Sequence, residues 1–235
     1  MVVNLEQISK RQNRQVILQN IELAIPPNSI CGLFGPNGAG KTSLLRVLTG
    51  IWRPSSGRLS LFDEPWHVTA LQRIGIVWDR PVFHETWTGL TMLQVYSKLY
   101  HGTAQKGERL FPRLGLQGSE AIAIRHYSLG MRKRLAIGLA LLKDPQLLIL
   151  DEPSDGLDAP STRVLWDTLR HFAQNGKSVI VTSHHLEEAI PVYSMAMVLV
   201  RGRSIGLWSK QEEADIDLST WLSQRLEGHH DILQL

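Results

Sequence analysis

The chain has 235 residues, with 25 Lys and Arg against 22 Asp and Glu, for a formal net charge of +3. Such a length suits one large domain or two small ones and buries a core without disulfide or metal staples. Apolar residues at 43% and charged residues at 20% exclude a disordered or fibrous chain. The mild charge gives no basic footprint for nucleic acid. The single cysteine, Cys31, excludes an internal disulfide framework and points to a reducing compartment.

The first element that patterning predicts is a half-buried strand over Asn20–Ile25, closed by the turn Pro26-Pro27-Asn28. A short buried strand, SICGLF from Ser29 to Phe34, follows. After a glycine-rich loop comes a helix over about Lys41–Thr49, then strand-like stretches at Arg58–Phe62 and Ile74–Trp78. From Arg80 to Lys143 the pattern turns helical, with helices at Leu90–Tyr100, Gly107–Leu114 and Gly130–Lys143. The alternation then resumes with a buried strand Gln146–Leu150, a helix Ser161–Gln174 and a β-branched strand Ser178–Thr182. A helix ending near Pro191 and a hairpin of Met195–Val200 and Ser204–Trp208 around Arg201-Gly202 close the series. Strands alternating with helices give an α/β fold with a largely parallel sheet, into which the helical middle is inserted.

The longest clean apolar stretch, Leu135–Leu142, is far below the roughly 20 residues of a membrane-spanning helix. The opening run MVVNLEQISKRQ lacks the apolar core of a signal peptide. A membrane role therefore needs a second chain to supply the membrane part.

Gly35-Pro36-Asn37-Gly38-Ala39-Gly40-Lys41-Thr42 fits G-x-x-x-x-G-K-[ST]. Glycines let the backbone wrap tightly and turn its N–H groups toward phosphate oxygens. The helix that follows aims its positive end at the same anion. Lys41 can reach β- and γ-phosphates as a point charge, and Thr42 offers Mg²⁺ a hard oxygen. Ser43 joins the loop as a nucleotide-binding residue. A buried strand before the loop and a helix after it are the setting this motif requires. Leu147-Leu148-Ile149-Leu150 then runs into Asp151 and Glu152. Two acids at the carboxyl end of a buried strand are costly without partners, and ligands of open α/β sheets bind at such ends. Asp151 is expected to hold Mg²⁺ through water, and Glu152 to polarise the attacking water.

With these motifs in place the chain resembles, over nearly its whole length, the ATP-binding subunit of an ABC transporter. The resemblance implies a P-loop NTPase core with mixed or parallel sheet, an N-terminal antiparallel β part and an inserted α-helical subdomain. It implies a single domain over 1–235: residues 1–79 and 144–208 as core with the β part, 80–143 as the helical subdomain, and 209–235 as a helical tail. The family signature corresponds to Tyr127-Ser128-Leu129-Gly130-Met131; Ser128 and Gly130 keep its usual form, whereas Leu129 and Met131 depart from it. Ser128 can also cap the helix RKRLAIGLALL. Ser154-Asp155-Gly156-Leu157-Asp158 is similar to the family's D-loop, from which Asp158 is taken as a nucleotide-site residue. His184, after the strand SVIVTS, takes the place of the switch histidine and would stabilise charge at the γ-phosphate. The catalytic set is then Lys41, Glu152 and His184, and the metal set Thr42, Asp79 and Asp151. His185 is read as packing or surface, and His229-His230 as a weak metal cue.

Two departures stand out. The family's adenine-stacking aromatic falls at Gln12, and no aromatic residue precedes Phe34. Base stacking contributes about 1–3 kcal/mol, so weak discrimination of ATP from GTP is expected, with Arg11 or Arg14 as substitute platforms. The second departure is Asp79, where most relatives carry the Q-loop glutamine. An acid there, and the SLGM form of the signature, resemble the exporter branch that handles peptide antibiotics such as lantibiotics and bacitracin. Asp79 could accept from Mg²⁺-bound water, or simply pair with Arg80. Trp78, Val82, Phe83 and Trp87 are candidates for an apolar face toward a transmembrane partner, with core packing as the competing reading.

The resemblance implies two subunits sandwiching two ATP molecules, each site using one chain's loop and the other's Ser128 and Gly130. The expected partners are a transmembrane permease on a separate chain and a second ATPase subunit, the same or different, at the cytoplasmic face of the membrane. No direct nucleic-acid contact is expected. The alternative is a soluble ATPase of the same family acting on ribosomes or nucleic acid. A peptide, an antibiotic or another hydrophobic cargo is the expectation, with heme, lipid and polysaccharide open.

Overall fold

The computed structural model describes residues 1–100, 104–184, 192–213 and 216–227. The expectations for His185, Pro191 and His229-His230 lie outside the described residues.

Two sheets carry the fold. The first has the order β2-β1-β4-β5, all antiparallel, from β1 (Val3–Gln12), β2 (Gln15–Ile25), β4 (Ser56–Leu61) and the two-residue β5 (Glu64–Pro65). The second has the order β10-β9-β3-β8-β7-β6, from β3 (Ile30–Phe34), β6 (Ile74–Val77), β7 (Leu147–Asp151), β8 (Ser178–Ser183), β9 (Met195–Val200) and β10 (Arg203–Ser209). The four pairings from β9 to β6 run parallel through β3, β8 and β7, and β10 closes the sheet antiparallel to β9.

The second sheet is covered on both faces, so its strands read as unbroken apolar runs. Along β7, Leu148 and Leu150 pack with helix α5 (Ala159–Gln174) and helix α6 (Leu218–Glu227), while Leu147 and Ile149 face α1 (Lys41–Leu48) and the first sheet. Each such side chain contributes about 1.5–3 kcal/mol on burial. Cys31 lies in this layer, and burial pushes its thiol up to about 12, which leaves it inert. Between β6 and β7 the chain makes α2 (Gly89–Leu99), α3 (Ala104–Arg113) and α4 (Leu129–Leu142), packed round their own cluster of Leu93, Phe111, Ile124 and Leu135.

β2 starts at Gln15, earlier than the pattern suggested. Asn13 and Arg14 both take positive φ, 48° and 67°, and fold β1 directly back onto β2. β1 itself escaped the alternation rule for a local reason. Gln7 bulges at φ 51°, the register shifts between Leu5 and Ile8, and the inward sequence Val3, Leu5, Ile8 loses its period of two.

Candidate functional site

The glycine loop leaves β3 at its carboxyl end and enters α1 at Lys41. Gly35 has φ 145°, and a Cβ there would lie 2.1 Å from the carbonyl oxygen of Leu199 on β9. Gly40 caps α1 at φ 107° with Leu18 close behind it. Both positions therefore need glycine, and the loop is held open by backbone geometry rather than by side chains.

Lys41 is 6% exposed. Its ammonium donates to the carbonyl of Gly35 at 2.6 Å and lies 3.2 Å from Oε1 of Glu152. The loop thus supplies its own oxygens where a phosphate would lie.

The two acids separate at the end of β7. Asp151 accepts from the Thr42 hydroxyl at 3.0 and 3.1 Å and from the Thr182 hydroxyl at 2.7 Å. Burial raises its carboxyl above the ordinary range; the hydroxyls of Thr182 and Thr42 pull it back, and the charges of Glu152 and Asp79 push it up further. A divalent cation fits here. The Thr42 hydroxyl and the Asp151 carboxylate are adjacent hard oxygens that would hold it, and its charge would offset the repulsion among Asp151, Glu152 and Asp79. Glu152 turns the other way, at φ 46°. Its N–H donates to the Thr182 hydroxyl at 2.9 Å, and its Oε2 lies 3.0 Å from Nδ1 of His184 and accepts from the His184 N–H at 3.2 Å.

Asp155 completes this corner: one ligand atom each from Glu152, Asp155 and His184 lie within 4.8 Å of one another. Sequence reasoning quoted Asp155 within its loop without assigning it a role. Asp158 does not line the cleft. It caps α5, its Oδ1 accepting from the Ser161 N–H at 2.9 Å, and the Ser161 hydrogen bonds hold its carboxyl below the usual range.

These groups open onto a cleft of about 1540 Å³ that runs from the glycine loop toward β2. Gln15, Val16, Ile17, Arg46, Ile51 and Trp52 also line it. Gln12, Arg11 and Arg14 are not among the lining residues. Arg46 lies one turn beyond Thr42 on the same face of α1, and its guanidinium sits 5.0 Å from the Trp52 ring centre. Neither residue stood out in the sequence. Arg46 reads as an ordinary helix cation, and Trp52 is brought near only by the turn after α1.

Asp79 also lines the cleft. Its nearer partner is not Arg80, whose Nε lies 3.9 Å away, but Lys133 of α4 at 3.1 Å. Ser128 and Gly130 lie outside the cleft. Ser128 caps α4, accepting from the Met131 N–H at 3.2 Å, and a Cβ on Gly130 would meet Leu157 at 3.1 Å. Within one chain the signature therefore touches the loop after β7 and not the glycine loop.

A second, smaller groove of about 370 Å³ lies between β6 and the inserted helices, lined in part by Trp78, Val82, Phe83, Tyr96 and Leu139. Val82 is 93% exposed. Phe83 also packs on two apolar clusters, whereas Trp87 turns away to stack on His84 at 5.0 Å. The four expected apolar residues thus divide between groove and core.

Residues 18–155 match the family model described as ABC transporter. A curated relative, Nod factor export ATP-binding protein I of Cupriavidus metallidurans, is 33% identical over 225 residues, covering 92% of this chain and 74% of the relative. Among solved structures, an ATP-binding subunit of an ABC transporter is similar at TM-score 0.83 and 20% identity, covering 96% of this chain and all of that one. An ATP-binding cassette solved as a dimer in a post-hydrolysis state with ADP and Pi is similar at TM-score 0.79 and 20% identity, covering 88% of this chain and 98% of that one.

Proposed function

The chain belongs to the ABC transporter family as an ATP-binding, ATP-hydrolysing subunit, and from that premise we propose that it powers an exporter through a separate transmembrane permease. The export direction is supported by the relative named for Nod factor export and by the exporter-like form of Asp79 and the signature. The observation that carries the catalytic part is the convergence of Lys41 and His184 on the two oxygens of one carboxylate, Glu152, at 3.2 and 3.0 Å beside the glycine loop.

In this reading the loop N–H groups and Lys41 hold the β- and γ-phosphates, with Pro36, Asn37, Gly38, Ala39 and Ser43 completing the cradle. Thr42 and Asp151 would hold Mg²⁺, which screens charge on the transferring phosphoryl group. Glu152 accepts a proton from the attacking water, and His184 keeps that carboxylate oriented. Two copies pair head to tail, so that Ser128 and Gly130 of one present the start of α4 to the nucleotide of the other. The dimeric cassette with ADP and Pi supports that arrangement. ATP then closes the interface and hydrolysis reopens it. Residues 80–143 form the arm that meets the permease, and the groove at Val82 and Phe83 is the docking face.

Among the described residues no helix is long and apolar enough to cross a membrane, so attachment to the cytoplasmic face would come from the partner. The test is gentle solubilisation of native membranes followed by capture of the tagged chain. A co-purifying protein with several membrane spans supports the exporter reading, and recovery with ribosomal or other soluble proteins alone overturns it.

A further inference from the structure

Lys133 is 1% exposed, yet it lies between two arginines that reach outward: Arg132 pairs with Glu85 at 2.7 Å, and Arg134 donates to the Gly115 carbonyl at 2.9 Å. The Lys133 ammonium points inward from α4 and makes two contacts. It donates to the backbone carbonyl of Glu152 at 2.5 Å and pairs with Oδ1 of Asp79 at 3.1 Å. The Glu152 N–H is meanwhile held by Thr182. The left-handed turn at Glu152, φ 46°, is therefore pinned from both ends, by Thr182 on its N–H and, on its C=O, by Lys133 at the shorter distance and the Asp155 N–H at 3.3 Å. Such a backbone conformation is unfavourable for a residue with a side chain and persists only where the surroundings hold it.

A buried ammonium needs a counter-charge. The carboxylate of Glu152 faces Lys41 and His184, which leaves Asp79 as the acid that meets Lys133. A neutral glutamine at position 79 would not supply this charge. We propose that Lys133 is a positioning residue for Glu152, and that Asp79 serves the site as the charge partner of Lys133 rather than as a metal ligand. The proposal rests on the reading of Glu152 as the group that activates water. It also joins α4, which carries the signature, to the residue that performs the chemistry, through one side chain.

The test is a double-mutant cycle on the full chain with Lys133→Met and Asp79→Asn, reading four quantities: melting temperature, binding of a fluorescent ATP analogue, kcat and KM for ATP, and the Mg²⁺ concentration for half-maximal stabilisation by ATP. Lys133→Met keeps the unbranched stem of the side chain without donor or charge. Its kcat is expected to fall by about tenfold or more, a part of the general-base contribution, while nucleotide affinity and KM stay within about threefold of wild type, as expected for a group that orients the base rather than the nucleotide. Asp79→Asn leaves the ammonium without its acid, so its melting temperature falls, and adding Lys133→Met restores it. In the double variant kcat matches that of Lys133→Met alone, and the Mg²⁺ requirement is unchanged throughout. Wild-type kcat in Lys133→Met overturns the positioning role. Independent, additive losses of kcat, or a raised Mg²⁺ requirement in Asp79→Asn, overturn the charge-partner role. If Asp79→Asn alone does not fold, recovery of folding in the double variant supports the pairing, and failure of both contradicts it. A wild-type chain without ATP hydrolysis, or a Glu152→Gln chain with full hydrolysis, would instead overturn the reading of the site itself.

Discussion

Lys41 and Glu152 are ion-paired at 3.2 Å across the mouth of the glycine loop. The cation suited to phosphate is thus held by the carboxylate suited to water, and by the Gly35 carbonyl at 2.6 Å. Nucleotide has to draw Lys41 away from Glu152. Glu152→Gln weakens that hold and should bind ATP more tightly than wild type. Lys41→Ala should bind at least about tenfold more weakly, since hydrogen bonds to charged groups contribute about 1.5–3 kcal/mol. Titration with a fluorescent ATP analogue checks both, and weaker binding by Glu152→Gln would contradict the competition.

Asp151 gives a pH-dependent prediction. In the unfolded chain it ionises in the ordinary carboxylate range, whereas burial keeps its proton to higher pH in the fold. Between those two values the folded state binds more protons, so stability falls as pH rises through the window. At neutral pH the charged group destabilises the nucleotide-free protein. Asp151→Asn should raise the melting temperature without nucleotide. The same variant should lose the further stabilisation that Mg²⁺ adds to ATP. Thermal melts at pH 5 and pH 7.5, with and without Mg²⁺ and ATP, measure both effects, and the gain from Asp151→Asn should be larger at pH 7.5.

The lining of the cleft predicts how the base is held. Trp52 and Arg46 line it, while Gln12, Arg11 and Arg14 do not. Trp52→Ala should weaken ATP and GTP binding alike, by roughly fivefold to a hundredfold, the range of ~1–3 kcal/mol for base stacking. Gln12→Ala should leave both unchanged. Competition titrations of ATP against GTP read the result directly, and wild type should discriminate the two only weakly.

The signature should act between chains rather than within one. Ser128 and Gly130 lie outside the cleft that holds Lys41. Gly130→Asp, which brings a charge against Leu157, should leave ATP binding by a single chain within about threefold of wild type. Its ATP-dependent dimer should disappear, and hydrolysis should fall by at least about a hundredfold, the effect of removing a positioned charge-stabilising group. Size-exclusion chromatography with light scattering, in ATP and without it, measures the dimer.

How much of this was readable in the residues follows from how local each signal is. The glycine loop, the acids after LLIL and His184 after SVIVTS are strand-end features whose spacing and neighbours are fixed within one βα unit, and all three line one cleft. Lys133 was not readable. In the run Arg132-Lys133-Arg134 it looks like one more solvated cation, and only the packing of α4 against the ends of β6 and β7 turns it inward. Arg46 and Trp52 were hidden in the same way, because the cleft reaches them across the turn that follows α1. β1 was obscured by its bulge at Gln7. Asp158 was named only through the likeness of its loop to the D-loop; within the chain its carboxylate caps α5.

The measurement that bears most directly on the account is steady-state ATP hydrolysis by the purified full chain, with wild type and Glu152→Gln side by side and nucleotide binding recorded for both. Wild type should hydrolyse ATP in a Mg²⁺-dependent way, Glu152→Gln should be slower by at least about a hundredfold, and ATP should stay on that variant as a stable dimer. Glu152→Gln protein that binds ATP and hydrolyses it at the wild-type rate would contradict it.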